Sequence, residues 1–387
     1  MSAQLSSIID FIRGLYPNKD FIALHEPSFS QLEKDLVLRT IESTFVSSVG
    51  EYVDEFEHKL SERLAAPVIV VNSGTSALHM ALVLSGVGRD DKVITQALTF
   101  VATCNAIAYC GAEPVLLDVD LGTLGLSADV LADYLANHTY QDESGVCRDN
   151  TDHKAIRACV PMHTFGLSCD IVKIAALCEQ YHIELIEDAA EALGSSSGQK
   201  PLGTFGRFGV LSFNGNKTIT TGAGGAIICR TAEDAKRAKF LTTTAKQADA
   251  FEYYHPELGY NYRMPNLNAA LGVAQLAKLD DILASKQAIA QQYQHFFKDS
   301  EFKFISAPAN TVANNWLNAV LAPSKEAKQA LLEFAKQHNV MMRPAWQPMY
   351  RLPMYQDVYQ SKMANTEYLI DHLVNLPSSA QLGVPTC

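Results

Sequence analysis

The residues of this chain best placed to do chemistry fall in two short stretches. One is Ser212-Phe213-Asn214-Gly215-Asn216-Lys217, where a lysine stands among small and polar residues ahead of Gly222-Ala223-Gly224-Gly225. The other is Glu187-Asp188-Ala189-Ala190-Glu191, earlier in the chain. Each follows an apolar run: Gly209-Val210-Leu211 leads into Ser212, and Ile183-Glu184-Leu185-Ile186 leads towards Asp188. Such runs read as buried strands, and ligands of open α/β sheets bind at strand ends. A lysine offers an amine for a Schiff base and a carboxylate offers a partner for a pyridinium nitrogen, which is what pyridoxal phosphate requires. Taken singly, Lys217 reads equally as a solvated charge and Asp188 as a cap on the segment that follows.

A third stretch supplies a place for a phosphate. Val68-Ile69-Val70-Val71 is wholly apolar, as a strand buried on both faces is. It ends in Asn72-Ser73-Gly74-Thr75-Ser76, ahead of a helical pattern over 77–84. Strand, glycine turn and helix together present free N–H groups at a helix N-terminus, a ready anion site; alone, the turn is also ordinary N-cap chemistry. Two other glycine motifs fail their context. Gly222-Ala223-Gly224-Gly225 is followed by strand residues Ala226-Ile227-Ile228, so it is no dinucleotide fingerprint. In Gly215-Asn216-Lys217-Thr218 an asparagine separates glycine from lysine, so the P-loop pattern is not met.

The elements that position these residues read as an α/β alternation. Residues 6–16 form a short amphipathic helix, 20–27 an extended arm, and 31–44 and 50–64 two further helices. The linker Phe45-Val46-Ser47-Ser48-Val49-Gly50 is too apolar for a solvent loop, and reads as a packed crossover or a substrate-facing loop. Strands are expected near 92–95, 114–119, 157–161, 183–187, 207–213 and 225–229, with helices between most of them, giving a mainly parallel sheet. Residues 138–153 read as a polar exposed excursion, and 266–297 as one long helix leading into a C-terminal unit. The expected division is an N-terminal helix and arm over 1–30, a large α/β domain over 31–265, and a connecting helix with a small C-terminal domain over 266–387.

Bulk properties narrow the partners. The chain has 387 residues, 48% hydrophobic and 19% charged, with a formal net charge of −11. That length exceeds what one compact core usually supports. The acidic balance argues against nucleic acid and against anionic membrane surfaces, so a phosphate must be held by local donors. The N-terminus lacks the features of a signal peptide, and no apolar run approaches the roughly 18 residues of a membrane span. The eight cysteines form no CxxC pair, and the eleven histidines form no HxxxH or HExxH. A reducing, cytoplasmic setting is expected, and no metal site.

The motifs occur together and in order: Asn72-Ser73-Gly74-Thr75-Ser76-Ala77-Leu78, Thr99-Phe100-Val101-Ala102-Thr103, Glu187-Asp188-Ala189-Ala190, Ser212 with Lys217, and Gly259-Tyr260-Asn261-Tyr262-Arg263. In this combination the chain resembles the sugar-nucleotide aminotransferases of the DegT/DnrJ/StrS group, from Ile22 to Leu376. The resemblance implies fold type I, the aspartate aminotransferase-like architecture, with a mainly parallel seven-stranded sheet and a smaller C-terminal α+β domain. It implies pyridoxal 5'-phosphate held as a Schiff base by Lys217, with Asp188 at the pyridinium nitrogen and Phe100 against the ring. Gly74, Thr75 and Ser212 would bind the phosphate, joined by Asn261 from the other subunit of a homodimer. His163 matches a family histidine near the active site, or is a satisfied structural histidine. Glu191 stands where many members have glutamine, which places an extra negative charge near the cofactor. Asn214 stands where histidine or tyrosine is common.

The implied chemistry is coherent. A free lysine has a pKa near 10.4, so only about one in a few thousand is a nucleophilic amine at pH 7. Storing Lys217 as an imine removes that barrier, and the amine released beside a cationic cofactor suits general-base work. A finer resemblance points to the branch that aminates C4 of UDP-linked 4-keto-6-deoxy-N-acetylhexosamines, as in legionaminic acid and bacillosamine-type pathways. It is carried by stretches 22–27, 44–50, 187–195 and 342–348. It implies L-glutamate as donor in a ping-pong cycle, with Ser47, Ser48, His163 and Arg343 as candidate substrate contacts. The alternatives are a GDP- or dTDP-linked keto-deoxysugar as substrate, or a sugar dehydratase on the same fold. Lys217 speaks against the dehydratase, whose members typically lack the imine lysine.

Overall fold

The structure, a computed structural model, describes residues 2–247, 249 and 251–382. Cys387 lies outside the described residues; the other seven cysteines are free thiols, all buried except Cys110. The central sheet has seven strands in the order Val68–Val71, Gly225–Cys229, Phe208–Ser212, Glu184–Asp188, Ile156–Val160, Lys92–Gln96 and Glu113–Leu117. Only Gly225–Cys229 runs antiparallel to its neighbours, and all other pairs are parallel. This is the α/β architecture that the motifs imply.

The apolar strands are explained by what covers them. Successive side chains point to opposite faces, so Val68 and Val70 join one core while Ile69 and Val71 join the other. The first core is closed by Phe56 and Leu60 of helix Glu51–Leu64 and by Ala269, Ala270 and Val273 of helix Asn266–Ala277. The second is closed by helices Gly74–Leu84, Val101–Tyr109 and Ala232–Thr242. Fully burying a leucine or valine is worth about 1.5–3 kcal/mol, so both faces demand aliphatic residues and no alternation survives in the sequence.

A second, antiparallel sheet joins Lys303–Phe304, Asn318–Leu321, Leu373–Leu376 and Arg343–Pro344. Ile8 and Ile12 of helix Ser2–Leu15 pack on it, with Val320, Leu331 and Val374. The N-terminal helix is thus part of the C-terminal core, and the arm after it pairs Ile22 with Val340.

Two expectations are corrected and one is refined. The helical pattern over 266–297 is two helices, Asn266–Ala277 and Leu279–Phe296, because Lys278 leaves helical geometry at φ −103° and ψ 2°. The first helix packs in the central core, and the second starts there with Leu279 and Ile282 and reaches the C-terminal core through Ile289 and Tyr293. The segment 138–153 is largely exposed, as expected, but is ordered as a hairpin of Thr139–Gln141 and Cys147–Asp149, pinned by buried Asp149, which accepts from Tyr134 and pairs with Lys92 at 3.0 Å. The linker 45–50, too apolar for a solvent loop by its sequence, carries Phe45, Val46 and Val49 exposed on this chain. Among the described residues no helix is long and apolar enough to cross a membrane, and no cluster suited to a metal ion occurs.

Candidate active site

Parallel register places the candidate residues together. Asp188 and Ser212 are the last residues of neighbouring parallel strands, with Val210 opposite Asp188. Helix Gly74–Leu84 starts beside them, its Ser73 cap accepting from the Ser76 N–H at 3.1 Å. The first N–H groups of a helix have no partner within it, which leaves those of Gly74 and Thr75 facing the strand ends. Glycine is required here by close approach: a Cβ on Gly74 would lie 2.9 Å from the Ser212 Cβ. Gly74, Thr75, Asp188, Glu191, Ser212 and Lys217 all line one cavity of about 280 Å³, walled by Phe100, Trp316 and Trp346.

The charges in this cavity are held by specific contacts. Asp188 is buried, accepts from the Thr103 hydroxyl at 2.7 Å and from the Ala190 N–H at 3.2 Å. Burial pushes its carboxyl above the ordinary value, opposed by those two donors and by the charges of Lys217 and His163. Lys217 sends its Nζ to Glu191 Oε1 at 3.0 Å and lies 4.1 Å from the centre of the Trp316 ring. Glu191 is buried as well, and its second oxygen accepts from the Phe165 N–H at 2.9 Å. Burial also raises Glu191, against the pull of Lys217 and Phe165. Phe165 reaches that position in a left-handed conformation, φ 57°, a backbone state that costs a bulky residue about 1–3 kcal/mol and is typical of functional sites.

These residues fit a phosphorylated pyridine aldehyde. The helix N-terminus and Ser212 meet at one end of the cavity, where a side chain at position 74 would crowd Ser212, leaving room for a phosphate against free N–H groups. An amine and a buried carboxylate face the same cavity, and each lies within range of the other's charge.

Other candidates lie elsewhere. His163 is fully buried, hydrogen-bonded to Glu187 at 3.0 Å and next to the Cys169 thiol; it does not line the cavity, and its contacts are those of the structural alternative. Arg343 is exposed at the edge of the C-terminal sheet, beside Phe21 and Lys336, away from the cavity. Neither Ser47 nor Ser48 lines the cavity of its own chain; the Ser47 carbonyl instead accepts from the Asn266 N–H. Asn261 is exposed and accepts from Arg263 at 3.1 Å, outside this cavity. Sequence reasoning missed the roles of Thr103, Trp316 and Phe165. Thr103 stood inside a quoted motif, but its bond to Asp188 carries no local signal; Trp316 arrives from a distant segment.

Comparison with known proteins agrees with this geometry. The model of the DegT/DnrJ/EryC1/StrS aminotransferase family matches residues 27–385. GDP-perosamine synthase of Escherichia coli O157:H7 is 33% identical over 364 residues, covering 94% of both chains. EpsN of Bacillus subtilis (strain 168), provisionally described as a pyridoxal phosphate-dependent aminotransferase, is 34% identical over 86% of this chain and 84% of its own. Among solved structures, the aminotransferase TlmJ from Streptoalloteichus hindustanus superposes with a TM-score of 0.84 at 26% identity, over 92% of this chain and 93% of that one.

Proposed function

Because this chain belongs to the DegT/DnrJ/EryC1/StrS aminotransferase family, whose members are pyridoxal phosphate-dependent sugar aminotransferases, we propose that it moves an amino group from L-glutamate to the keto carbon of a nucleotide-linked deoxysugar. The observation that carries this reading is the convergence of Lys217, Asp188 and the Gly74–Thr75 turn on one cavity.

When bound, pyridoxal phosphate supplies an aldehyde that condenses with amines and a ring that accepts the electrons released at the amino-acid α-carbon. The protein does the rest. The N–H groups of Gly74 and Thr75 and the Ser212 hydroxyl would bind the phosphate. Asp188, oriented by Thr103, would hold a proton at the ring nitrogen, and Phe100 would wall the ring. Lys217 would hold the cofactor through its Nζ, and the same amine, once free, would be placed to move a proton at the substrate α-carbon. Trp316 lies with its ring against the Lys217 nitrogen.

Two readings of the sugar have support. The 33% identity to a GDP-perosamine synthase favours a GDP-linked keto-deoxysugar. The stretches at 22–27, 44–50, 187–195 and 342–348 favour a UDP-linked 4-keto-6-deoxy-N-acetylhexosamine. The relatives weigh towards GDP, which stands first. We further propose a homodimer in which Asn261 reaches the phosphate of the other subunit; the exposed Phe45, Val49, Phe251 and Leu258 support a covered surface. The test is direct: purified protein with cofactor and L-glutamate is offered GDP-, UDP- and dTDP-linked 4-keto-6-deoxyhexoses, and the aminated product is identified by mass spectrometry. Amination of the GDP sugar alone supports the first reading, amination of the UDP sugar alone the second, and amination of none overturns the function.

A further inference from the structure

The Lys217 nitrogen is met by a second buried acid. Glu191 Oε1 lies 3.0 Å from Nζ, its other oxygen is held by the Phe165 N–H at 2.9 Å, and its side chain is 1% exposed. The remaining charged groups stand further round the site. Asp188, on the same segment, is taken up by Thr103 and Ala190. His163, behind Asp188, is paired with Glu187. From the N-terminal arm comes His25, whose ring nitrogens lack protein partners and which is held neutral by burial and by the charges of Lys286 and Lys217. From the connecting helix comes Lys286, its Nζ bound by the carbonyls of Asn315, Trp316 and Ser378. Among the described residues only Glu191 touches the Lys217 nitrogen with an acceptor. A buried carboxylate without a counter-charge is expensive, so the state of Glu191 and the state of Lys217 cannot change independently.

From this contact we propose that Glu191 is the proton partner of Lys217, acting as base while the lysine bonds to its cofactor and as counter-ion afterwards. The proposal rests on the reading of Lys217 as the cofactor lysine. In the free protein an ammonium faces a carboxylate. Glu191 takes one proton, so that Nζ attacks the aldehyde carbon with a free electron pair. A bond forms between nitrogen and carbon, and the aldehyde oxygen leaves as water with the two protons still on the nitrogen. Glu191 then returns its proton to the nitrogen of the new C=N linkage and is again a carboxylate beside a cation. Atoms and charge balance, and the pair is neutral before and after. Burial raises the Glu191 carboxyl, which favours its brief protonation. The strained Phe165 fixes the oxygen that is not in use.

The test is a pH titration of the visible band of the loaded protein, wild-type against Glu191→Gln, with covalent uptake verified in both by borohydride. Removing an opposite charge this close lowers the pKa of a cation by about one to three units, so the colour transition of Glu191→Gln is expected at least one pH unit below that of wild-type. The rate at which apo-protein takes up cofactor should fall with it. Glu191→Asp, which withdraws the carboxylate by one carbon, serves if the glutamine variant does not fold, and should show a smaller shift in the same direction. An unchanged or higher midpoint overturns the proposal while leaving Lys217 as the cofactor lysine. A wild-type protein that takes up no cofactor overturns the functional reading, and the proposal with it.

Discussion

Two buried acid–base pairs lie at the end of the same strand, and they differ in one respect. Glu187 meets His163 at 3.0 Å, and Glu191 meets Lys217 at 3.0 Å. The first pair is closed: both side chains are 0% exposed, and Glu187 also accepts N–H groups from Gly203, Phe205 and Gly206. The second is open on one side, with Lys217 13% exposed and both residues lining the cavity. A carboxylate whose every acceptor site is used holds a loop in place. A carboxylate that shares one contact with a cavity-facing amine is available for chemistry. Equal distances thus conceal different functions, and satisfaction by the surrounding backbone separates them.

Breaking the open pair should destroy activity and spare the fold. Lys217→Ala is expected to lower kcat by roughly 10⁴-fold, the upper range for losing a positioned acid–base group, with an unchanged circular dichroism spectrum. Breaking the closed pair should do the reverse. His163→Ala leaves Glu187 buried beside an empty space and should cost about 3–5 kcal/mol of stability, read from chemical denaturation, while covalent cofactor uptake persists.

The contrast sharpens with smaller changes. Thr103→Val removes the hydroxyl that orients Asp188 and should cost about 1.5–3 kcal/mol of transition-state stabilisation, the usual worth of a hydrogen bond to a charge, seen in kcat at saturating donor. The mildest effect is a pH dependence. Burial draws His163 down, but the Cys169 thiol and Glu187 outweigh it and hold it up at about 10 against 6.5. A raised folded-state value stabilises fully below the unfolded one, and that contribution fades as pH climbs through the folded one. The stability difference between wild-type and His163→Gln should therefore shrink between pH 6.5 and 10; a difference that grows across that window would contradict the closed pair.

Much of this site is legible in the sequence, because strand ends and glycine turns leave local marks. Lys217, Asp188, Ser212, Gly74 and Thr75 follow apolar runs that only a doubly covered strand explains, and all of them line the cavity. The positions of the seven strands follow the same logic, though not their order in the sheet. What the sequence hides is set by contacts between distant segments. Glu187 and His163 look as reactive as their neighbours until the backbone N–H groups around Glu187 are seen. Nothing near Trp316 announces that its ring will lie against Lys217. The break at Lys278 carries no glycine or proline, so the helical pattern of 266–297 runs on unmarked. The hairpin at 139–149 is built on Asp149 and Lys92, a buried charge pair that composition reads as solvent-exposed polarity.

The most direct test of the central claim is to reduce the loaded protein with borohydride, digest it, and locate the cofactor by peptide mass spectrometry. The account predicts a single modified peptide carrying pyridoxyl on Lys217. A label on another lysine, such as the buried Lys286, whose pKa burial lowers to about 7, or no covalent label at all, would contradict it.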